Sequence, residues 1–184
     1  AMLNTNILPD FITIDGAEGG TGAAPLEFID YMGMALSDAL VFAHKSLVDY
    51  GLRNEIKILA SGKIISAFDI AKSMSLGADA CYSARGMMFA LGCIQALQCD
   101  SGKCPVGIAT QDKSLYKGLD ITDKRVRVAN FHKNTLKAVA EFIGACGFES
   151  PDQVTAETFF RRVNYNTNLN FKDIYFTNPE TKSK

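Results

Sequence analysis

Three short apolar segments of the sequence are each followed by a glycine-containing loop and then by a helical pattern. These segments predict β-strands at residues 10–15, 56–59 and 78–82. Strand, loop and helix repeated in this order are typical of parallel βα units. Right-handed crossovers between such units place the loops that follow the strands on one face of the sheet. The sequence therefore predicts an α/β fold whose three loops share a face.

The first two helical patterns have recognisable ends. The first covers residues 37–51, where Ser37 and Asp38 are expected to supply the N-cap and Gly51 the C-cap. The second covers residues 66–76 and is followed by a glycine. Both are amphipathic, so each is expected to pack one face against the sheet.

The later helical patterns are longer or less regular. A third helix is expected to begin after the turn at residues 83–86 and to carry Cys93. Residues 123–146 predict a long helix, and residues 150–163 predict another that begins at Ser150 with a proline in its first turn. The apolar stripe of the long helix is expected to comprise Val126, Ala129, Leu136, Val139 and Phe142.

Two further features of the sequence are its polar C-terminal segment and a single histidine on the first helix. From Asn164 onward the sequence is polar and rich in turn residues, and residues 178–184 are expected to be disordered. His44 lies on the first helix, and a single histidine in such a position is expected to be structural rather than catalytic.

Composition excludes several classes of function. The chain has 184 residues, of which 47% are hydrophobic and 21% charged, with a formal net charge of −1. This balance is typical of a soluble globular domain and gives no electrostatic reason to expect nucleic acid or membrane binding. Five cysteines, three of them in one short stretch, indicate reduced thiols in a reducing compartment, so a cytoplasmic location is expected.

The three clustered cysteines are Cys93, Cys99 and Cys104, spaced C-x5-C-x4-C, with Pro105 directly after the last. Thiolates are soft ligands that suit iron–sulfur clusters, and three of them match a three-iron, four-sulfur cluster. The alternative is that Cys93 is a small buried hydrophobic residue while the other two are loop thiols or a disulfide. Zinc is less favoured, because no histidine lies nearby in the sequence to complete its ligands.

The loop after the first strand reads GAEGGTGAAP and has four glycines within seven residues. Such a loop allows a ligand to approach the backbone closely, although it could also be a flexible surface turn. Asp15 and Glu18 lie at its mouth, each either a site carboxylate or a solvated charge.

The loops after the second and third strands predict a phosphate site. They read SGK at residues 61–63 and SARG at residues 83–86. In (β/α)8 barrels a phosphate often lies between two consecutive loops, bound by backbone N–H groups and a helix N-terminus. Here one set of donors would come from Gly62 and Lys63 and the other from Ala84 and Arg85. Alternatively, both loops are ordinary turns whose glycines satisfy backbone geometry alone.

Four stretches resemble a known family when they are taken in order. They are ITIDGAEGGTGAAP, ASGKI, GADACYSARG and ALGCIQALQCDSGKCPVGIATQD. Together they resemble the FMN-binding (β/α)8 domain of glutamate synthase, and most closely the single-domain FMN-binding glutamate synthase family proteins. The resemblance covers roughly residues 12–148, and the cysteine stretch that ends in CPVGIATQ is its most specific part.

The resemblance implies cofactors, substrates and site residues. The cofactors would be FMN and a [3Fe-4S] cluster, and the reaction would form L-glutamate from 2-oxoglutarate and ammonia with electrons from a ferredoxin or a reductase subunit. Lys63, with its ammonium near the flavin ring or the phosphate, would be catalytic. The metal ligands would be Cys93, Cys99 and Cys104. The cofactor-binding residues would be Gly19, Gly20, Thr21, Gly22, Ser61, Gly62, Lys63, Ser83, Ala84 and Arg85.

The chain is short for the fold that it resembles. A complete barrel needs about 250 residues, so the three units are expected to be strands six to eight, the C-terminal portion of the barrel. Residues 1–148 would be this partial barrel and residues 149–184 a C-terminal helical extension with a polar tail. No amidotransferase segment is expected. The open sheet edge predicts self-association and weak or absent FMN binding.

Two other functions remain open at this stage. The chain could be a half-barrel that binds a phosphate ligand without redox chemistry, its cysteines being free thiols. It could also belong to a related flavin barrel that acts on a different substrate.

Overall fold

The structure is a computed structural model that describes residues 2–18, 24–25, 27–29 and 31–177. The helices are α1 (Met2–Thr5), α2 (Leu36–Asp49), α3 (Ala67–Ser75), α4 (Ala84–Leu91) and α5 (Ile121–Ala145). The strands are β1 (Phe11–Asp15), β2 (Lys57–Ser61), β3 (Ala80–Cys81), β4 (Phe160–Asn164) and β5 (Thr167–Asn170). Short 3₁₀ turns cover Tyr116–Gly118 and Pro151–Gln153, and a π-helical turn covers Lys172–Phe176.

The first three strands form a parallel sheet in the order β1-β2-β3. Each is followed by a helix, so the prediction of an α/β fold with three parallel βα units is confirmed. The strand positions differ slightly from the predicted ones. β2 begins one residue later and continues to Ser61, and β3 is only two residues long.

The sheet is buried mainly on one face. Ile58 and Ala60 of β2 are fully buried; α2 packs against β1 and β2, and α3 packs against β3. On the opposite face Phe11 is 53% exposed, and Thr13 beside it is also exposed. Because parallel sheets normally bury both faces, this second face of the sheet is unusually open in the described part of the chain.

The helix ends follow the sequence only in part. α3 begins with the expected capping box, in which Asp69 N donates to Ser66 Oγ at 3.2 Å and Ser66 N donates to Asp69 Oδ2 at 2.9 Å. The predicted N-cap of α2 is wrong. The helix begins at Leu36, whose N–H donates to both carboxylate oxygens of Glu18 at 3.0 Å, so a carboxylate from a distant loop replaces the local cap.

Helix α4 ends before the first of the clustered cysteines. Gly92 follows it with a φ of +102°, a left-handed conformation that glycine adopts easily and that ends a helix. The prediction that this helix carries Cys93 is therefore wrong. Cys93 is instead the first residue of the loop that contains the other two cysteines.

The prediction of a helix over residues 150–163 is wrong. Ser150 does cap a turn, but only the short 3₁₀ turn at Pro151–Gln153. The chain then forms an antiparallel β-hairpin from β4 and β5. The sequence FFRRVN combines aromatic and β-branched residues, which favour a strand and lose side-chain freedom in a helix.

Aromatic side chains pack the segment that contains the hairpin against α5. Phe159 is buried and stacks on Phe142 of α5 and on Phe171, with ring centroids 5.5 and 5.6 Å apart.

The apolar stripe predicted for α5 is correct only near the C-terminal end of the helix. Val139 is buried, whereas Val126 and Leu136 are about half exposed, because the N-terminal half of α5 packs against α4 with other residues, among them Val128 and Phe131, which are half-buried.

A polar network lies beside the N-terminal ends of β2 and β3. Arg53 donates from Nη2 to Asp79 Oδ2 at 2.9 Å and to the carbonyl of Gly77 at 2.8 Å. Its Nε donates to Nδ1 of His44 at 3.2 Å, and Asp79 Oδ2 also accepts from Ile58 N at 2.7 Å. Burial, and then the charge of Arg53, lower the pKa of His44. His44 therefore takes part in this network.

None of the helices in the described ranges combines the length and apolar character that crossing a membrane requires.

We predict that Phe159→Ala destabilises the protein by about 3–5 kcal/mol, because it removes a buried ring that joins the hairpin to α5. Phe160→Ala is the matched control: this neighbouring ring is 67% exposed, so its removal should change stability by no more than about 0.5 kcal/mol. Urea unfolding followed by circular dichroism measures both. Equal effects of the two substitutions would show that the aromatic stack does not stabilise the hairpin.

We predict that Asp79→Asn costs about 1–2 kcal/mol at neutral pH. Burial opposes ionisation of Asp79, but the hydrogen bond from Ile58 N and the charge of Arg53 outweigh it and hold the pKa of Asp79 below its usual value of 3.8. The stabilisation is therefore complete above that value and is lost as the pH falls through the lower folded pKa. Urea titrations across this range should show the difference between the two proteins narrowing in acid. A gap independent of pH would contradict this.

Candidate functional site

A cavity of about 560 Å³ lies at the C-terminal ends of the parallel strands. Asp15 ends β1, Ser61 ends β2 and Tyr82 follows β3, and all three line the cavity. The three loops therefore do share one face, as the topology predicted. Open parallel sheets and barrels place ligands at this end of the strands.

Backbone contacts join the loops after β1 and β2. Gly16 N donates to the carbonyl of Ser61 at 2.8 Å, which extends the pairing beyond the strands. A Cβ placed on Gly16 would lie 2.5 Å from Leu36 Cβ, and Gly62 has a φ of +141° that an L side chain rarely adopts. Both glycines are thus required where the two loops meet.

The predicted cofactor residues fall into three groups. Five of them line the cavity, namely Ser61, Gly62, Lys63, Ala84 and Arg85. Ser83 does not line it, and its role is described below. Gly19, Gly20, Thr21 and Gly22 lie outside the described residues.

Ser83 connects the second and third loops. Its Oγ donates to the carbonyl of Ile64 at 2.7 Å. Because the hydroxyl is used in this way, it makes no capping hydrogen bond to α4, which begins at the next residue. The first-turn N–H groups of α4 therefore remain available beside the cavity, where Ala84 and Arg85 lie.

Lys63 has an unusual backbone conformation. Its φ is +48°, in the left-handed region that costs free energy for a residue with a side chain. Such strain is common at binding and catalytic sites. The residue is exposed and borders the cavity, which is compatible with a role for its ammonium group there.

Cys93, Cys99 and Cys104 also line this cavity. All five cysteines of the chain are free thiols, so the structure has no disulfide in the cysteine loop. Gln95 N donates to Cys93 Sγ at 3.5 Å. Within the described residues, no group of three or more histidine, cysteine or acidic side chains could hold a single metal ion, whereas in a three-iron cluster each cysteine would bind a different iron atom.

The chemistry of Cys104 suits a metal-bound thiolate. Its side chain is buried, and the backbone N–H groups of Ala109, Val106, Ile108 and Gly107 lie near its sulfur. Ala109 has the strongest influence, and together these groups outweigh burial and lower the pKa of the thiol. N–H donors around sulfur stabilise thiolates, as they do in iron–sulfur sites. The donor set therefore fits an iron–sulfur cluster.

Sequence reasoning missed two residues that shape this site. Gly107 follows Cys104 with a φ of +78°, and a Cβ there would lie 2.3 Å from the carbonyl of Leu115. Glu18, treated as an undecided carboxylate, caps α2 across the first loop. The PVG turn could have indicated the glycine, but nothing local in the sequence links Glu18 to Leu36.

Comparison with known proteins gives a consistent result. Residues 2–149 match the family model described as "Conserved region in glutamate synthase". The chain is 44% identical over 149 residues to the glutamate synthase large subunit-like protein YerD of Bacillus subtilis, a match that covers 81% of this chain and 28% of that protein.

Two further relatives agree. One is the archaeal glutamate synthase [NADPH] of Methanocaldococcus jannaschii, 44% identical over 77% of this chain and 28% of the relative. The other is the glutamate synthase [NADPH] large chain of Bacillus subtilis, 32% identical over 81% of this chain and 10% of the relative. The chain thus spans little more than a quarter of the length of the first relatives that it matches.

We predict that iodoacetamide modifies Cys104 at a lower pH than Cys81. The thiolate is the reactive form, and backbone N–H groups lower the pKa of Cys104, whereas burial raises the pKa of Cys81 to about 11. Timed alkylation between about pH 6 and pH 9, followed by peptide mass spectrometry, measures each rate separately. If Cys81 reacted as fast as Cys104 throughout, the described environments of the two sulfurs would be wrong.

Proposed function

The chain belongs to the glutamate synthase family, and on that premise we propose that it forms part of an FMN- and iron–sulfur-dependent oxidoreductase. The proposed reaction is the reductive amination of 2-oxoglutarate by ammonia to give L-glutamate. The observation that carries the proposal is the single cavity lined by the loops after β2 and β3 and by the three clustered cysteines. A flavin and a metal cluster placed there would be close enough for electron transfer.

We propose that the three βα units are strands six to eight of a (β/α)8 barrel. Their parallel order and their common loop face support this, as does the open face of the sheet, which would face the barrel interior. The proposed boundary between the partial barrel at residues 1–148 and an extension at residues 149–184 is supported by the end of the family match at residue 149.

We propose that the FMN phosphate binds between the loops after β2 and β3. Its oxygens would accept from backbone N–H groups of Gly62 and Lys63 on one side and of Ala84 and Arg85 on the other, at the positive end of α4. Ser61 and Ser83 would hold the two loops in place. Lys63 would be the catalytic residue, with its ammonium near the flavin or its phosphate.

The two cofactors, when bound, would supply electron transfer and hydride transfer to the imine of 2-oxoglutarate. The chain would hold the cluster through Cys93, Cys99 and Cys104, with N–H donors from the surrounding loop stabilising the sulfurs. The Gly-rich loop with Gly19, Gly20, Thr21 and Gly22 is proposed to border the flavin and the 2-oxoglutarate site.

The electron source and the cellular setting are also proposals. Two of the relatives have NADPH in their names, so we propose NADPH as the source, acting through a reductase subunit or a ferredoxin. Reduced cysteines are consistent with a cytoplasmic location. The open face of the sheet favours self-association of this chain.

One observation favours a second candidate function. The N-terminus of α4 has no side-chain cap and lies at the cavity near Gly62 and Lys63, so a half-barrel that binds a phosphate ligand and performs no redox chemistry would use the same loops. A related flavin enzyme with another substrate would use the same residues.

We predict that anaerobic reconstitution with iron and sulfide gives a brown protein, and that Cys104→Ser abolishes most of the visible absorption because a serine oxygen is a poor ligand for iron. Cys146→Ser is the matched control, since Cys146 is a free, exposed thiol at the end of α5 and does not line the cavity. Iron content per chain and the absorption spectrum measure both variants.

The outcomes separate the candidate functions. Iron uptake that depends on Cys104 but not on Cys146 supports the redox proposal. No uptake by the unmodified chain, or equal uptake by both variants, would favour the second candidate.

A further inference from the structure

Helix α4 connects the two proposed cofactor sites, and its two ends have opposite polarity. Its N-terminus lies at the proposed phosphate site, whereas its C-terminus leads directly into Cys93. The C-terminal end of a helix carries a partial negative charge. A thiolate at Cys93 therefore lies at the end of the helix that disfavours a second negative charge.

Backbone hydrogen bonds at the end of α4 offset only part of this charge. Gly92 N donates to the carbonyl of Phe89 at 2.9 Å. Cys93 N donates to the carbonyl of Met88 at 3.0 Å. Together they form the Schellman arrangement that ends many helices. They pair two of the last four carbonyls of the helix, so part of its negative end remains.

Two cationic side chains of α5 lie against the same end of α4. A Cβ placed on Gly92 would lie 3.5 Å from Lys124 Nζ and 3.6 Å from Nη1 of Arg127. Gly92 directly precedes Cys93. Because consecutive Cα atoms are about 3.8 Å apart, both charges lie within roughly 9 Å of the Cα of Cys93. We call Lys124 and Arg127 the α5 cation pair.

One carboxylate accompanies the α5 cation pair. Asp123 Oδ2 lies 3.3 Å from Lys124 Nζ and 4.0 Å from Nη1 of Arg127. Two cations and one carboxylate leave one positive charge. The Lys124 side chain is 16% exposed and that of Asp123 is 56% exposed, so solvent screens the carboxylate more than the ammonium.

The cysteine stretch has no net positive charge of its own. Between Cys93 and Cys104 the charged residues are Asp100 and Lys103, whose charges cancel, and both are exposed. Three thiolates would therefore add their negative charge to a neutral stretch at the negative end of a helix. The compensating charge has to come from another element, and α5 supplies it.

A positive charge near Cys93 has two physical effects. It stabilises the thiolate that binds iron, because opposite charges attract across the poorly solvated interior. It also raises the reduction potential of a bound cluster, because the reduced form carries one more negative charge. Salt screens exposed charges over about 8 Å at physiological concentration, and the low exposure of Lys124 weakens that screening.

We propose, on the basis of the proposed redox function, that Lys124 and Arg127 are positioning residues of the cysteine site. They hold positive charge beside Cys93, which offsets the negative end of α4 and the charge of the thiolates, and so favour binding and reduction of the cluster. Their effect on Cys93 is measurable in the chain without a cluster.

Two alkylating reagents of different charge test this effect in the full chain. Iodoacetate is an anion and iodoacetamide is neutral, and both react with the thiolate. The ratio of their rates at one cysteine therefore reports the local electrostatic potential. We expect Lys124→Gln and Arg127→Gln each to lower this ratio at Cys93 by at least about twofold, and the double substitution by at least about threefold. Peptide mass spectrometry also measures Cys146, at the far end of α5, where the ratio should not change.

Matched substitutions separate charge from structure. Lys137→Gln removes another paired lysine from α5, roughly 20 Å along the helix from Lys124, and should leave the ratio at Cys93 within about 1.5-fold. Lys124→Arg keeps the charge and should keep the ratio. A purely structural role would change the urea midpoint of the variants but not the ratio of the two rates.

Three results would overturn the proposal. One is an unchanged ratio at Cys93 in Arg127→Gln, and another is an equal fall in Lys137→Gln. The third is a loss in Lys124→Arg as large as in Lys124→Gln, which would make shape the cause. If Lys124→Gln fails to fold by circular dichroism, Arg127→Gln decides, because the Arg127 side chain is 45% exposed.

The reconstituted protein provides a second readout. Redox titration followed by electron paramagnetic resonance should show that the cluster potential falls in the double variant. A threefold weaker preference for the reduced form corresponds to about 28 mV, at 59 mV per tenfold for one electron. An unchanged potential would overturn the proposal. Absence of iron uptake by the unmodified chain would instead refute the proposed redox function, and the alkylation ratio would still decide whether the α5 cation pair acts at Cys93.

Discussion

The contact between the loops after β1 and β2 determines the geometry of the candidate site. The hydrogen bond from Gly16 N to the carbonyl of Ser61 continues the parallel pairing of β1 and β2 past the last strand residues. It is possible only because Gly16 has no side chain where Leu36 approaches. Ser83 then extends the arrangement to the third loop through its bond to Ile64. Three loops that are distant in sequence are thereby held around one cavity.

The two ends of the sheet serve different purposes. At the N-terminal ends of the strands, Arg53 and Asp79 satisfy each other and several backbone groups, an arrangement that stabilises the fold. At the C-terminal ends, Lys63 has a strained backbone and Cys104 is surrounded by N–H donors. Backbone strain is costly unless a function makes use of it, and N–H groups around a sulfur stabilise a thiolate. This contrast supports the proposal that the chemistry of the protein lies at the C-terminal end.

Local sequence signals predicted the parts of this structure that depend on local interactions. The three parallel strands follow from apolar runs and the glycines after them, and α3 follows from its Ser66 capping box. The signals failed where distant residues compete with local preference. Glu18 caps α2 from across a loop, and no pattern near Leu36 indicates this. Ser150 and Pro151 read as a helix start, but the aromatic and β-branched residues that follow favour a hairpin packed on α5. The metal-ligand assignment of the three cysteines rests on family resemblance, because spacing alone does not set the distance between their sulfurs.

The aromatic stack of Phe142, Phe159 and Phe171 has a consequence for where this protein can be divided. Similarity to the family ends at residue 149, yet Phe159 and Phe171 lie beyond that point and bury their rings against a helix that lies before it. Truncation after residue 149 would expose to water the apolar surface of α5 that Phe159 covers. The matched region and the hydrophobic core therefore have different borders, since Phe159 and Phe171 belong to the same core as residues of α5.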